Sequence, residues 1–188
     1  MDRGSSEWIS RRVMVTAGNL ADQAWAVAEP NLHGLTDDEY FWEPLPGMWG
    51  VRPRREVRSP DCWGKGEWAV EHCFDGSVQA PTTIGWRLMH AYDCTNDFTS
   101  RIFGRGGISW NDIEVPGTAA AAVDLMAGAM QRLRDDLASN DDDILVGTGD
   151  ADDARPRWRI LGTALIEAIH HCAEIGVLRT WYRAVHLD

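Results

Sequence analysis

A chain of 188 residues with a formal charge of −11 has room for one self-sufficient core without covalent staples. Its 29 Asp and Glu against 18 Lys and Arg exclude a nucleic acid as general partner, because neutralising phosphate needs a surplus of cations facing it. With no signal pattern and no long uninterrupted apolar run, the expectation is one soluble, cytoplasmic domain over residues 1–188, without membrane contact.

From Ser6 to about Asn31, Ile9, Val13, Ala17, Leu20, Ala24 and Val27 follow the helical period, with Ser5 or Ser6 available as a cap. Pro30 and Gly34 predict an end or bend there. Thr36-Asp37-Asp38-Glu39 is a capping-box pattern that opens a short helix through Trp42, closed by Pro44 and Pro46. Between Gly47 and Gln79 the period disappears, and Gly, Pro, Trp and Arg dominate. Asp61-Cys62-Trp63 and Glu67-Trp68-Ala69-Val70 around Gly64-Lys65-Gly66 predict at most a small hairpin in a lid-like insertion. The cluster Arg52, Arg54, Arg55 and Arg58 reads as a solvated turn balanced by nearby acids.

A second long helix is predicted from Thr82 or Thr83 to Phe103, packing through Ile84, Leu88, Ala91, Thr95, Phe98 and Ile102, with glycines at 104, 106 and 107 to stop it. Its neighbouring face, Trp86, His90, Asp93, Cys94 and Asp97, is polar for a mid-helix position. A third helix, capped near Thr118, packs through Ala119, Val123, Met126, Met130, Leu133 and Leu137. Asp141-Asp142-Asp143 and the stretch from Gly147 to Asp153 read as a mobile, solvated connector without the ligand spacing of a calcium loop. The last helix, Ile160 to Tyr182, packs through Leu161, Leu165, Ala168, Cys172, Ile175 and Arg179. The expected architecture is all-α, a four-helix bundle with an irregular or small β-hairpin insertion between helices one and two. The ten tryptophans predict buried indoles and an aromatic-lined pocket.

Beside the last packing stripe runs a second line, Ala164, Glu167, His171, Glu174 and Leu178. Glu167 and His171 are one turn apart, so both can reach one metal ion, and His90 is the candidate third ligand. Spacing alone leaves other readings open. His90 can be a core histidine with Glu167 as its partner, His90 can pair with Cys94, and Cys62, His72 and Cys73 can form a separate zinc cluster.

Taken together, Gly34 through Tyr40 with Trp42-Glu43-Pro44, Trp49-Gly50-Val51-Arg52-Pro53, Thr82 through His90 and Glu167 through Arg179 resemble the DinB superfamily. The likeness is to its actinobacterial branch related to mycothiol-dependent maleylpyruvate isomerase. That resemblance implies a four-helix bundle, often a homodimer, holding a divalent metal through one His on the second helix and two residues four apart on the last. Many such proteins have His first in that pair; Glu167 stands there here, as in the maleylpyruvate isomerase branch. His90, Glu167 and His171 thus carry over as ligands for zinc or nickel, and His170 has no ligand counterpart. The implied function is that of a transferase or isomerase using mycothiol or another small thiol, with that thiol and a small-molecule substrate as partners. Trp49, Arg52, Trp86 and Arg87 are the candidate substrate contacts, and Glu174 a carboxylate behind the ligands. Two other functions fit the same residues: a non-catalytic, stress-linked binding or dimerisation module with a vestigial metal pocket, and a metal-dependent hydrolase using bound water.

Overall fold

The computed structural model describes residues 12–149 and 154–186. Four long helices are α1 (Arg12–Leu32), α3 (Ile84–Ile102), α4 (Ala119–Ser139) and α6 (Arg157–His186). The short helices α2 (Asp37–Phe41) and α5 (Asp143–Val146) sit in the connections. α6 packs on α1 and α3, and α4 closes the other side against the same two helices. The core between them includes Leu32, Ile84, Leu88, Met89, Met126, Met130, Leu133, Ile160 and Ile175, all sealed from solvent. Each contributes roughly 1.5–3 kcal/mol through burial.

The predicted boundaries follow from cap chemistry. The Thr36 hydroxyl accepts from the Glu39 amide at 3.2 Å while the Glu39 carboxylate accepts from the Thr36 amide at 3.0 Å, the reciprocal box that starts α2. Thr83 accepts from the Trp86 amide to start α3, and Thr118 from the Ala121 amide to start α4. Past the end of α3, Gly104 takes φ +75°, the left-handed conformation that an L side chain resists.

The first helix departs from its predicted stripe. Its buried face is Met14, Ala17, Ala21, Ala24, Ala28 and Leu32, while Val13, Leu20 and Val27 point outward. Alanines let α1 approach α6 and α4 closely, and the larger residues are rotated to the outside. The helix runs through Pro30 and ends at Leu32, next to the predicted end near Asn31. Ser5, Ser6 and Ile9 lie outside the described residues.

The insertion holds three strands instead of a lone hairpin. β1 (Val51–Pro53), β2 (Asp61–Trp63) and β3 (Trp68–His72) form an antiparallel sheet in the order β1-β3-β2, with Val70 opposite both Val51 and Trp63. The Glu71 side chain, fully buried, accepts from the amides of Gly50 and Arg58 and from Arg52 Nε, at 2.7–2.9 Å. Nearby acids do balance the arginine cluster, but only part of that cluster is solvated. Arg52 is largely buried between Glu43 and Glu71, and Arg54 donates to the carbonyls of Gly64 and Gly66.

The acidic connector is likewise more ordered than expected. Asp142 is buried, and its carboxylate accepts from the Val13 and Met14 amides at 3.1 and 2.9 Å, satisfying two free donors in the first turn of α1. Residues 150–153 of that connector lie outside the described residues. Of the described tryptophans only Trp63 is fully buried; Trp110, Trp158 and Trp181 are exposed.

Candidate metal centre

α3 and α6 pack along their lengths, and their polar lines meet there. His171 Nε2 lies 3.2 Å from Glu167 Oε2, and His90 Nε2 lies 3.7 Å from the same oxygen. The two imidazoles stand nearly perpendicular, with ring centres 4.9 Å apart. Ligand atoms sharing one tetrahedral cation at bond lengths of 2.0–2.2 Å stand roughly 3.3–3.6 Å apart. The two contacts to Glu167 bracket that spacing, whereas His90 and His171 do not fall in one set of ligand atoms within 4.8 Å of one another, so closing on one ion would draw the two rings together. The site is not sealed: His90 and Glu167 keep 30% and 27% of their side-chain surface, His171 10%.

The protonation balance sharpens the fit. Burial, then the neighbouring histidines His171, His72 and His170, push the His90 pKa down to about 4. Burial also lowers that of His171, against the hydrogen bond and charge of Glu174. Both rings are neutral at pH 7, so each carries one proton. His171 Nδ1 lies 2.9 Å from Glu174 Oε2 and Nε2 lies 3.2 Å from Glu167 Oε2, so the neutral ring has one proton for two carboxylates. Whichever carboxylate the proton does not serve faces a bare nitrogen lone pair, an approach that a cation makes attractive.

The surrounding residues hold this geometry. Arg87 pairs with Glu174, so a cation orients the carboxylate that faces His171 Nδ1, the carboxylate-histidine pairing that supports metal ligands. Burial raises the Glu174 pKa, but Arg87 and His171 outweigh it and hold the carboxylate below its usual range. The Trp86 ring stacks on His90 with centres 4.9 Å apart, while its indole N–H donates to the Glu71 carbonyl at 2.7 Å. The sheet thus braces the tryptophan that positions His90.

Trp86, Arg87 and Glu174 are therefore brought to the three candidate ligands. Arg52 is instead committed to Glu43, Glu71 and the Met48 carbonyl, and the Trp49 ring stands 6.4 Å from that of His72. Among the described residues, two sets offer three ligand atoms within 4.8 Å of one another: His90, Cys94 and Glu167, and Glu167, His170 and His171. Glu167 is common to both. Cys94 Sγ lies 3.6 Å from His90 Nε2, but burial, then Asp93 and Glu167, push its thiol pKa far up, so it offers no thiolate unaided. His170 is exposed, stacks on His171 and reaches Glu174 Oε1 at 3.3 Å. The Cys62, His72 and Cys73 alternative is not assembled: Cys73 bonds Asp75, and Cys62 lies beside Arg54.

A mostly helical chain with a small sheet, carrying a histidine and carboxylate cluster compatible with a divalent metal, defines the class. The family model of the DinB superfamily matches residues 20–175, and the chain belongs to that superfamily, whose members often bind metal. No curated protein and no solved structure gives a match.

Proposed function

We propose that His90, Glu167 and His171 hold one divalent cation, zinc or nickel, at the heart of a DinB-type four-helix bundle that acts as a cytoplasmic, small-thiol-dependent transferase or isomerase. The observation that carries this reading is Glu167 Oε2, approached by the Nε2 atoms of two neutral imidazoles. Two nitrogens and one carboxylate suit a borderline cation and leave a coordination position open. A cation held there supplies Lewis acidity, lowering the pKa of a thiol or water that it receives.

The chain's own groups do the rest. Arg87 and Glu174 hold the His171 ring at the site, and Trp86 holds the His90 ring in plane. The Trp86 face forms an apolar wall where a substrate can exclude water. Without the cation neither nearby cysteine is a thiolate, since burial pushes Cys94 far up and Cys172 up to about 12, and the reading takes its sulfur from solution.

Metal content of the untagged protein tests the centre. One equivalent per chain after incubation with zinc or nickel, lost in His171→Ala, is the expected result; a stoichiometry near zero rejects it. Thiol dependence is tested by turnover of electrophilic substrates with and without mycothiol. Equal rates favour hydrolysis, and no turnover from a metal-loaded protein favours a binding module.

A further inference from the structure

The loop that follows α3 turns back along that helix. The Ile108 amide donates to Asp97 at 2.9 Å, and two residues later the Trp110 indole hydrogen-bonds Asp93, one turn closer to the start of α3. His90 stands three residues further in the same direction, and there the loop meets the insertion. The Trp86 indole fastens β3 to this part of α3 through the Glu71 carbonyl, and the next residue, His72, lies near enough to His90 to disfavour a charge on it. The His72 ring packs edge-on against Phe74 and Trp110, with centres 4.8 and 5.8 Å apart, and Phe74 and Trp110 stack on each other at 5.1 Å and 11°. Both stacked rings are open to solvent, 50% and 41% exposed. Two connections distant in sequence thus supply one flat aromatic rim beside the candidate centre.

The two side chains that Trp110 joins each hold a buried polar atom without a partner. Asp93 is 5% exposed, and neither its Oδ1 nor His72 Nδ1 has a hydrogen-bond partner among the described residues. Buried polar atoms are ordinarily bonded, so two open ones at the edge of one exposed ring call for a ligand that brings what they lack. Burial raises the Asp93 pKa to about 7, which lets the carboxyl keep a proton to donate up to neutral pH. The cations of α3 and of the loop are committed elsewhere, Arg87 to Glu174, Arg101 to Asp97 and Arg105 to Asp136. A carboxylate or phosphate would therefore find donors but no balancing charge, whereas an uncharged carbonyl oxygen needs only the donors.

From this we infer that His72, Asp93 and Trp110 form a binding site for an uncharged aromatic carbonyl compound. Its flat body lies on the Phe74–Trp110 rim, and its oxygen accepts from the Asp93 carboxyl and the His72 ring. That this site is the substrate pocket of the candidate centre rests on the metal reading; the binding itself needs no metal.

Calorimetric titration of metal-free protein with acetophenone tests it, with zinc uptake measured on a second portion of each sample. Saturable binding is expected. Trp110→Ala should weaken it about 3–10-fold, and His72→Phe and Asp93→Leu about 10-fold or more, each by removing a donor. Asp93→Asn keeps a donor and should stay within about threefold of wild type. Cyclohexyl methyl ketone, which lacks the flat ring, and benzoate, which adds a charge, should each bind about 5-fold more weakly or worse. Trp158→Ala, an exposed indole in the groove beside Val13 and Leu20, should change nothing. If Asp93→Leu fails to fold, His72→Phe carries the comparison. Ketone binding without zinc uptake keeps this site and rejects the metal centre. No saturable binding, equal affinity in Trp110→Ala and His72→Phe, or benzoate binding as well as acetophenone overturns the proposal, whatever the zinc content.

Discussion

Two ionic clusters on α6, about three turns apart, obey opposite rules. At Arg179 the guanidinium donates to Glu39 at 2.9 Å and to the carbonyls of Asn31, His33 and Gly34 at 2.9–3.0 Å, with both charged side chains almost fully buried. Every strong donor there has an acceptor, so the cluster clamps the α1–α2 connection to α6. At Glu167 the contacts are longer, the side chains are partly open, and two neutral imidazoles approach one carboxylate oxygen. A satisfied network holds a fold together. An unsatisfied one, held in place by Arg87 and Trp86, is arranged for something that arrives later.

The contrast predicts its own perturbations. Arg179→Ala leaves Glu39 buried without its partner and should destabilise the protein by about 3–5 kcal/mol, measurable by denaturant unfolding. A loss below 1 kcal/mol would show that the clamp is not structural.

Asp93 is a buried acid of a third kind, with one oxygen lacking any partner among the described residues. Burial, reinforced by Asp97 and opposed by a Trp110 hydrogen bond, raises its pKa to about 7. The folded chain then keeps a proton that the unfolded chain releases, so the stabilisation is complete below about pH 4 and is lost as pH rises through 7. Asp93→Asn removes this dependence and should be more stable than wild type by about 2–4 kcal/mol at pH 8, with the gap closing toward pH 5. Parallel stability curves for the two proteins would contradict the assignment.

Smaller effects are expected at the metal cluster. Glu174→Gln weakens the hold on the His171 ring and should lower zinc affinity about 10–100-fold without abolishing binding. Glu167→Ala should change the stability of metal-free protein by less than about 1 kcal/mol while removing tight binding, because no satisfied network is broken. A large loss of metal-free stability would make Glu167 a structural partner of His90.

How much of this was legible depended on whether a residue's partner lay nearby in sequence. Local signals read well: the Thr36–Glu39 box, the Thr83 and Thr118 caps, and the stripes of α3, α4 and α6 all occupy the predicted places. The α1 stripe slipped because size was taken for burial. Ala17 and Ala24 of that stripe are buried as predicted, but Ala21 and Ala28 complete the contact, and Val13, Leu20 and Val27 face outward. The three residues of β1 are too few for a period. Asp142 looked solvated because the amides it caps are 128 and 129 residues away. Glu71 sits in a strand whose neighbours give no hint that its carboxylate gathers three donors. At the site, spacing on one helix paired Glu167 with His171; the approach of His90 is a tertiary fact, named as a candidate from its mid-helix place and supported by the family resemblance.

The most direct test of the central claim is anomalous scattering from crystals of untagged protein loaded with zinc. A single peak within about 2.0–2.3 Å of His90 Nε2, His171 Nε2 and a Glu167 oxygen is the predicted result. A peak held by Cys94 or His170 in place of one of them, or no peak at the cluster, would contradict it.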